Sequence, residues 1–316
     1  MTVKIYRKGI KQSLSAINCT DLIAECGHDE ELQETPGATE TKLRCHQREI
    51  RDAMMEKYPR PVMTSLDGCY VQQATDIEER VGRGGRDEYF SHPDRFATNL
   101  ILDYEWLKTL PKISEFCGTY GLYDPSYSKR EPISVVMFGY GSGNRARLVC
   151  GEEYADKAIC LERGACVHWA PKNAASFLIS QACSQMRDLC GWKIFYAYAD
   201  PEAGEIGTVY QACNWLYIGQ GVGSAKYKKE YLPPKKNPCR AVRRWTSERE
   251  ERGYRNGYCG HSITKHKEMG WEERKVPAKH RYVHFEGNRR EKRKFREALQ
   301  YPVLPYPKRE LPAPSG

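Results

Sequence analysis

Asp200 closes the apolar run "WKIFYAYAD" and is followed by the turn "PEAG" and then by "GTVYQACNWLYIG". Open α/β sheets bind their ligands beyond the carboxyl ends of their strands, so an acid placed there can accept a proton or a hydrogen bond. Downstream, Tyr210 and Asn214 stand four residues apart with Gln211 between them, a spacing that puts them on neighbouring faces of a helix. Such side chains can donate and accept protons or recognise a polar ring. The plainer alternative is a strand and a helix whose polar groups cap, bond to backbone or face water.

Two further groups complement the acid. Arg163 lies in "LERGACVHW", and the turn "PKNAAS" precedes an apolar periodic stretch, so Asn173 to Ser176 read as a helix start. A helix N-terminus offers unsatisfied N–H groups and the positive end of the dipole, suited to a phosphate or carboxylate. Ordinary capping by Asn173 and Ser176 explains the same residues equally well.

These positions need a sheet to hold them. "ISVVMFGYG", "DKAICLERGACVHW" and "WKIFYAYAD" read as strands, and "AASFLISQACSQMRDLCG" as a helix capped by Asn173 and ended at Gly191. "GTVYQACNWLYIG" reads as a short helix opened by Thr208 and closed by Gly219, "HRYVHF" (280–285) as a strand, and "NRREKRKFREAL" as a basic helix. The order predicts an α/β (α+β) core with a mixed β-sheet. The chain divides into residues 1–130, an accessory region carrying no motif with evident chemistry; 131–310, the catalytic unit with its basic carboxyl-terminal part; and a tail, 311–316. Before residue 130, "RFATNLILDYEWLKTL" is the one clear helix, with Phe96, Leu100, Leu102 and Trp106 on its apolar side.

Charge is unevenly spread. Residues 220–316 hold 25 Lys and Arg against 11 Asp and Glu, whereas residues 1–219 hold 25 against 30. Cations interleaved with aromatics, as in "KYKKEYLPPKKNPCRAVRRWTS", suit phosphate contacts and base stacking. Arg243, Arg244, Lys279, His280 and Arg281 are the candidates for that contact. A solvated basic tail is the alternative.

Thirteen cysteines are scattered without a CxxC pair and read as reduced, buried small residues. Cys19, Cys26, His28, Cys45 and His46 have metal-ligand chemistry but not the spacing of a zinc knuckle. No carboxylate or His/Cys cluster in the carboxyl-terminal half has ligand spacing, so no metal ligand is assigned and the sequence does not say whether a metal participates. The first residues lack a secretory apolar core and no run is long enough to cross a membrane; a cytoplasmic protein is expected. "FGYGSG" and "YADP" imitate the signatures of adenine methyltransferases, but the first runs on towards a strand and the second lacks a following proline and aromatic.

The blocks "LERGACVHWAPKNAASFLI", "YAYADPEAGEIGTVYQACNWLYIG" and "KHRYVHF" with "YPVLPYPK" resemble, in order, those of the phage Mu Mom family of DNA adenine-modifying proteins. The resemblance implies a GNAT-like fold and an enzyme that adds a carbamoylmethyl group to N6 of adenine in double-stranded DNA, shielding phage DNA from restriction. It implies functional roles for Arg163, Ser176, Asp200 and Tyr210, and motif positions for Asn173, Gln211 and Asn214. Arg163 and Asn173 to Ser176 would then hold a small-molecule group donor, acetyl-CoA or another small acyl or glycyl compound. A flipped adenine would stack on Trp169, Trp215 or Tyr217. "PKNAAS" stands where GNAT proteins carry a glycine-rich Q/RxxGxG/A loop. An acetyltransferase for a protein or small molecule, and a DNA-binding protein without catalysis, are the competing readings. The first would need no basic tail, and the second no Asp200–Tyr210 pair.

Overall fold

The computed structural model describes residues 47–81, 87–105, 110, 116–141, 145–221, 227–232, 245–247 and 270–308. The helices are α1 (Gln47–Lys57), α2 (Arg95–Tyr104), α3 (Arg145–Cys150), α4 (Ala174–Cys190), α5 (Thr208–Ala212) and α6 (Arg289–Glu297). The strands are β1 (Tyr70–Gln73), β2 (Thr75–Val81), β3 (Asp87–Pro93), β4 (Phe116–Tyr123), β5 (Ser134–Gly139), β6 (Ala158–Cys166), β7 (Ile194–Ala199), β8 (Leu216–Gln220), β9 (Tyr227–Leu232), β10 (Thr246–Ser247), β11 (Glu272–Pro277) and β12 (His280–Phe285). Among the described residues, seven strands form the main sheet in the order β1-β4-β5-β6-β7-β12-β8, in which β6 and β7 pair parallel and the other neighbours antiparallel. The expected mixed α/β sheet flanked by helices is what the chain forms.

Alternation along the strands sorts two apolar layers. Phe138, Leu161, Phe195 and Tyr282 belong to the layer that includes Leu178, Ile179, Ala182 and Met186 of α4. Cys160, Tyr196, Val283 and Phe285 form a second layer with Val149 and Cys150 of α3 and Phe295 of α6. A parallel pair needs a crossover, and α4 supplies it between β6 and β7. Gly191 ends that helix in the left-handed conformation, φ 76°, as its position after the last apolar residue predicts.

Several elements differ from expectation. The stretch 207–219 is not one helix: α5 ends at Ala212, Asn214 adopts φ 56°, and the chain leaves as β8. A left-handed residue cannot continue a right-handed helix, and Asn is among the side chains that tolerate that conformation. Gly207, at φ 77°, occupies the N-cap position given above to Thr208. The stretch after "FGYGSG" does form a short helix, α3. The helix at Arg95 stops at Tyr104 and buries Ala97, Leu100, Ile101 and Tyr104; Leu100 lies on the expected apolar side, whereas Phe96 and Leu102 are only half-buried, and Trp106 lies outside the described residues. Between β8 and β12, where the sequence is polar and broken by prolines, β10-β9-β11 form a separate three-stranded sheet. The boundary at 131 falls within the main sheet, since β1 and β4 lie before it.

Gly207 also sits against a ring. A Cβ there would lie 2.3 Å from Cε2 of Tyr282, whose side chain is fully buried. Gly207→Ala is therefore expected to lower stability by roughly 2–4 kcal/mol through overpacking and left-handed strain, read as a fall in the thermal midpoint.

Candidate active site

The site begins with an irregularity in β6. Phe138 of β5 pairs with Leu161 but Met137 pairs with Arg163, so Glu162 is an extra residue and β6 bulges there. Pairing between β6 and β7 stops at the same level, with Leu161 opposite Ala197, while β6 continues along β5 to Cys166. The two parallel strands part, and polar side chains collect at the opening.

Asp200 follows β7 directly and is 1% exposed. It caps a single 3₁₀ turn, Pro201–Ala203, by accepting the Glu202 N–H at Oδ1, 3.1 Å. Its own N–H donates to Glu205 Oε2, 3.2 Å, and its carbonyl accepts the Glu205 N–H, 3.1 Å. Lys279, just ahead of β12, brings Nζ to 3.4 Å from Asp200 Oδ2. His280 follows. Its Nδ1 is 2.9 Å from the Tyr217 hydroxyl, and burial pushes the imidazole below its ordinary value, partly offset by the negative charge of Asp200.

On the other side of the opening, Arg163 Nε lies 3.2 Å from Glu105 Oε2, and Nη1 donates to the Glu162 carbonyl, 2.7 Å. Glu105 is buried at the end of α2. Burial pushes its carboxyl up to about 8; the Arg163 charge works against this shift, Glu205 and Glu162 add to it, and Lys279 opposes it. Desolvation outweighs the ion pair, as it does for a charge removed from water with one imperfect partner. Tyr104, next in the chain, is tied to His168. The carbonyl of Tyr58 can only accept, so His168 Nε2 carries the proton to it, 2.9 Å, and Nδ1 accepts from the Tyr104 hydroxyl, 3.0 Å. This brace fixes the end of α2 and with it Glu105.

Tyr210 is enclosed between the rings of Trp215 and Tyr282, with centroids 5.2 Å away in each case. Burial holds its phenol well above the ordinary value, so the hydroxyl keeps its proton. The remaining candidates divide. Gln211 Nε2, with two N–H groups to donate, lies 3.1 Å from the Tyr282 hydroxyl and 3.3 and 3.4 Å from the carbonyls of Ile206 and Pro307, tying α5 to β12 and to residues 301–308. Asn214 is an exposed turn residue. Trp215, 1% exposed, stacks on His284, and Tyr217 and Trp169 are also enclosed. These three rings are core residues and present no open platform for a base. Arg281 donates from Nη2 to the Ile218 carbonyl, 2.9 Å, and lies 3.9 Å from the Tyr301 ring centroid, so it too is committed within the fold. Arg243, Arg244 and the cluster from Cys19 to His46 lie outside the described residues.

Asn173 stands at the N-cap of α4 in the left-handed conformation, φ 72°, and its side chain makes no capping bond, contrary to the expected cap. The Ser176 hydroxyl donates back to the Asn173 carbonyl, 3.0 Å. The Ala174 N–H is taken by the Pro171 carbonyl, 3.1 Å, while Asn173 caps none of the N–H groups that follow, so the residues present fit the anionic end of a donor. Among the described residues no group of three or more His, Cys, Asp or Glu is placed to hold a metal, and no helix is long and apolar enough to cross a membrane.

Sequence reasoning missed Glu105 and Glu205. Glu105 lay in a stretch read as without chemistry, and nothing local marks it; only the fold brings it to Arg163. Glu205 stands inside the "PEAGE" turn, where its acid was passed over as a turn residue.

Fold and site together define an α/β protein whose buried acids and cations gather where two parallel strands separate. The family model of the Mom protein family matches residues 91–308, and the chain belongs to that family. No curated protein matches it. Similar solved structures include an N-acetyltransferase from Staphylococcus aureus Mu50, with 10% identity over 53% of this chain and 67% of that one, TM-score 0.28. A putative streptothricin acetyltransferase from Bacillus anthracis str. Ames, in complex with acetyl coenzyme A, shares 8% identity over 74% of this chain and 93% of its own, TM-score 0.28. Nourseothricin acetyltransferase shares 14% identity over 50% and 77%, TM-score 0.24.

The raised carboxyl of Glu105 has a measurable consequence. The folded chain binds this proton up to about pH 8, whereas the unfolded chain releases it near 4.5, so stability falls as pH rises between those values. Glu105→Gln removes that loss. Chemical denaturation is expected to find the variant gaining on the parent between pH 5 and pH 8 by roughly 1–3 kcal/mol.

Proposed function

We propose that this chain is a transferase that adds a carbamoylmethyl or related acyl-derived group to N6 of adenine in double-stranded DNA, protecting phage DNA from restriction. The observation that carries the reading is the pair of buried carboxyl groups at the parting of β6 and β7, one beside Lys279 and one beside Arg163. In a chain of the Mom family, such a pair supports proton transfer in both directions within one site. The GNAT-like reading of the fold comes from the family resemblance, and the mixed seven-stranded sheet flanked by helices agrees with it.

Adenine N6 is a poor nucleophile because its lone pair is delocalised into the ring, so it must lose a proton as its new bond forms. Asp200 takes the N6 proton. Glu105, its carboxyl protonated at neutral pH, returns a proton to the group that leaves the donor carbon. The new N6–carbon bond and the broken donor bond thus balance with one proton taken and one given. Tyr210, held neutral, acts as a hydrogen-bond donor. Acetyl-CoA or another small acyl compound would supply an acyl carbon and give an acylated N6, whereas a carbamoylmethyl product requires a small glycyl-type donor that already carries the amide nitrogen. The donor's anionic part would rest on Arg163 and the first turn of α4 at Asn173 to Ser176.

Duplex DNA as partner is supported by α6. Arg289, Arg290, Arg293, Lys294 and Arg296 are exposed on a helix of nine residues. Arg289 faces Arg293, and Arg290 faces Lys294, at the four-residue spacing where like charges repel. The first two also oppose the helix dipole. Glu291 is engaged in the capping box and with Lys193, and Glu297 is a remote partner of Arg293 at 3.7 Å. A helix merely facing water gains nothing from this concentration; a helix facing phosphates does.

Mass spectrometry of nucleosides from the DNA of a bacterial host expressing the chain tests the reading. A heavier deoxyadenosine is expected, reduced at least about a hundredfold by Asp200→Ala. Unmodified DNA in the presence of folded protein would overturn it. With purified protein, Arg289→Glu together with Arg293→Glu is expected to weaken duplex binding and to reduce the slope of log affinity against log salt by about one per lost phosphate contact.

A further inference from the structure

Between β8 and β12 the described residues 227–232, 245–247 and 270–277 lie outside the main sheet and carry β9, β10 and β11. The base of this excursion is closed by the Gly221 N–H donating to the Lys279 carbonyl, 3.1 Å. Within it, Leu232, Glu230 and Val276 are each 1% exposed on one side of the β9–β11 pair. Glu230 is a carboxylate placed among apolar groups, and Arg274, its register partner, answers it: Nη2 lies 2.8 Å and Nε 3.3 Å from Glu230 Oε2. The guanidinium stands 4.5 Å from the centroid of the Trp245 ring. Removing one partner of a buried pair leaves an uncompensated charge, so Arg274 has little freedom to move.

That fixed guanidinium reaches out of the excursion. Nη2 also lies 3.3 Å from Oε2 of Glu202, whose N–H caps Asp200 Oδ1. The excursion therefore grips the short turn after β7 at two points, Arg274 on Glu202 and Lys279 on Asp200 itself.

We infer that Arg274 is a positioning residue for Asp200: anchored on Glu230, it holds the Pro201–Glu205 turn through Glu202 and so sets the direction of the acid at the opening between β6 and β7. The inference rests on the reading of Asp200 as the proton acceptor. A carboxylate misplaced by about 1 Å can lose a hundredfold in rate, which is why a link two residues from the acid matters. An arginine suits the task because its planar fork meets both glutamates at once, whereas a lysine is a single point charge.

The test is steady-state modification of duplex DNA by the full chain, comparing Arg274→Ala, Arg274→Lys, Glu202→Gln and the double variant Arg274→Ala/Glu202→Gln. Arg274→Ala and Glu202→Gln are each expected to lower kcat about ten- to a hundredfold, with KM for DNA within about threefold of the parent. The double variant is expected to be no slower than Arg274→Ala, because both changes cut one link. Arg274→Lys recovers only part of kcat. Glu202→Gln leaves the Glu230–Arg274 pair intact, so it reports on the link even if Arg274→Ala fails to fold. A Glu202→Gln protein with the parent's kcat on an active parent would overturn the inference while leaving the function standing. A folded parent that modifies no DNA would overturn both.

Discussion

The rest of the structure depends on one irregularity, the bulge at Glu162. A regular parallel ladder satisfies its backbone groups between strands and leaves no room at the junction. By inserting a residue on β6, the chain ends the ladder at Leu161 and Ala197 and keeps the remainder of β6 paired to β5. The opening is stable because neither neighbour is sacrificed. It is flanked by the strand end that delivers Asp200 and by Arg163 with its partner Glu105.

Burying several ionisable groups at that opening is costly, and the fold meets the cost by distributing cations from different parts of the chain. Arg163 comes from the strand itself, Lys279 from the entry to β12, and Arg274 from the excursion. At Glu105 the Arg163 charge does not erase desolvation, and the carboxyl is raised. For Glu105 the consequence is a carboxyl that keeps its proton at neutral pH, because burial outweighs the Arg163 charge. The aromatic residues serve a different end. Tyr210 of α5 packs on Trp215 and Tyr282, and Tyr282 on Tyr217, so the helix is seated on a rigid aromatic layer.

How much of the site was legible depends on how local its determinants are. Asp200 was legible because a strand, an acid and a glycine-bearing turn are consecutive. The strands β5, β6, β7 and β12 and the helices α4 and α6 were legible for the same reason: each carries its own apolar pattern and its own stop signals. Gln211, Trp215 and Arg281 were read as ligand contacts from their chemistry alone, and the fold employs their donors and rings internally. Residue type states what a side chain can do, and only its neighbours state what it is already doing.

The sequence by itself determined the α/β class, the place of the acid at a strand end, the concentration of positive charge after residue 220 and the blocks that mark the family. All of these are properties of short segments or of sums over them. The tertiary structure decided that Glu105 faces Arg163, that Arg274 and Lys279 grip the turn of Asp200, and that Asn214 breaks what reads as one helix. Those outcomes depend on contacts between segments distant in the chain, or on a backbone angle set by packing, and no periodicity or composition encodes them one segment at a time.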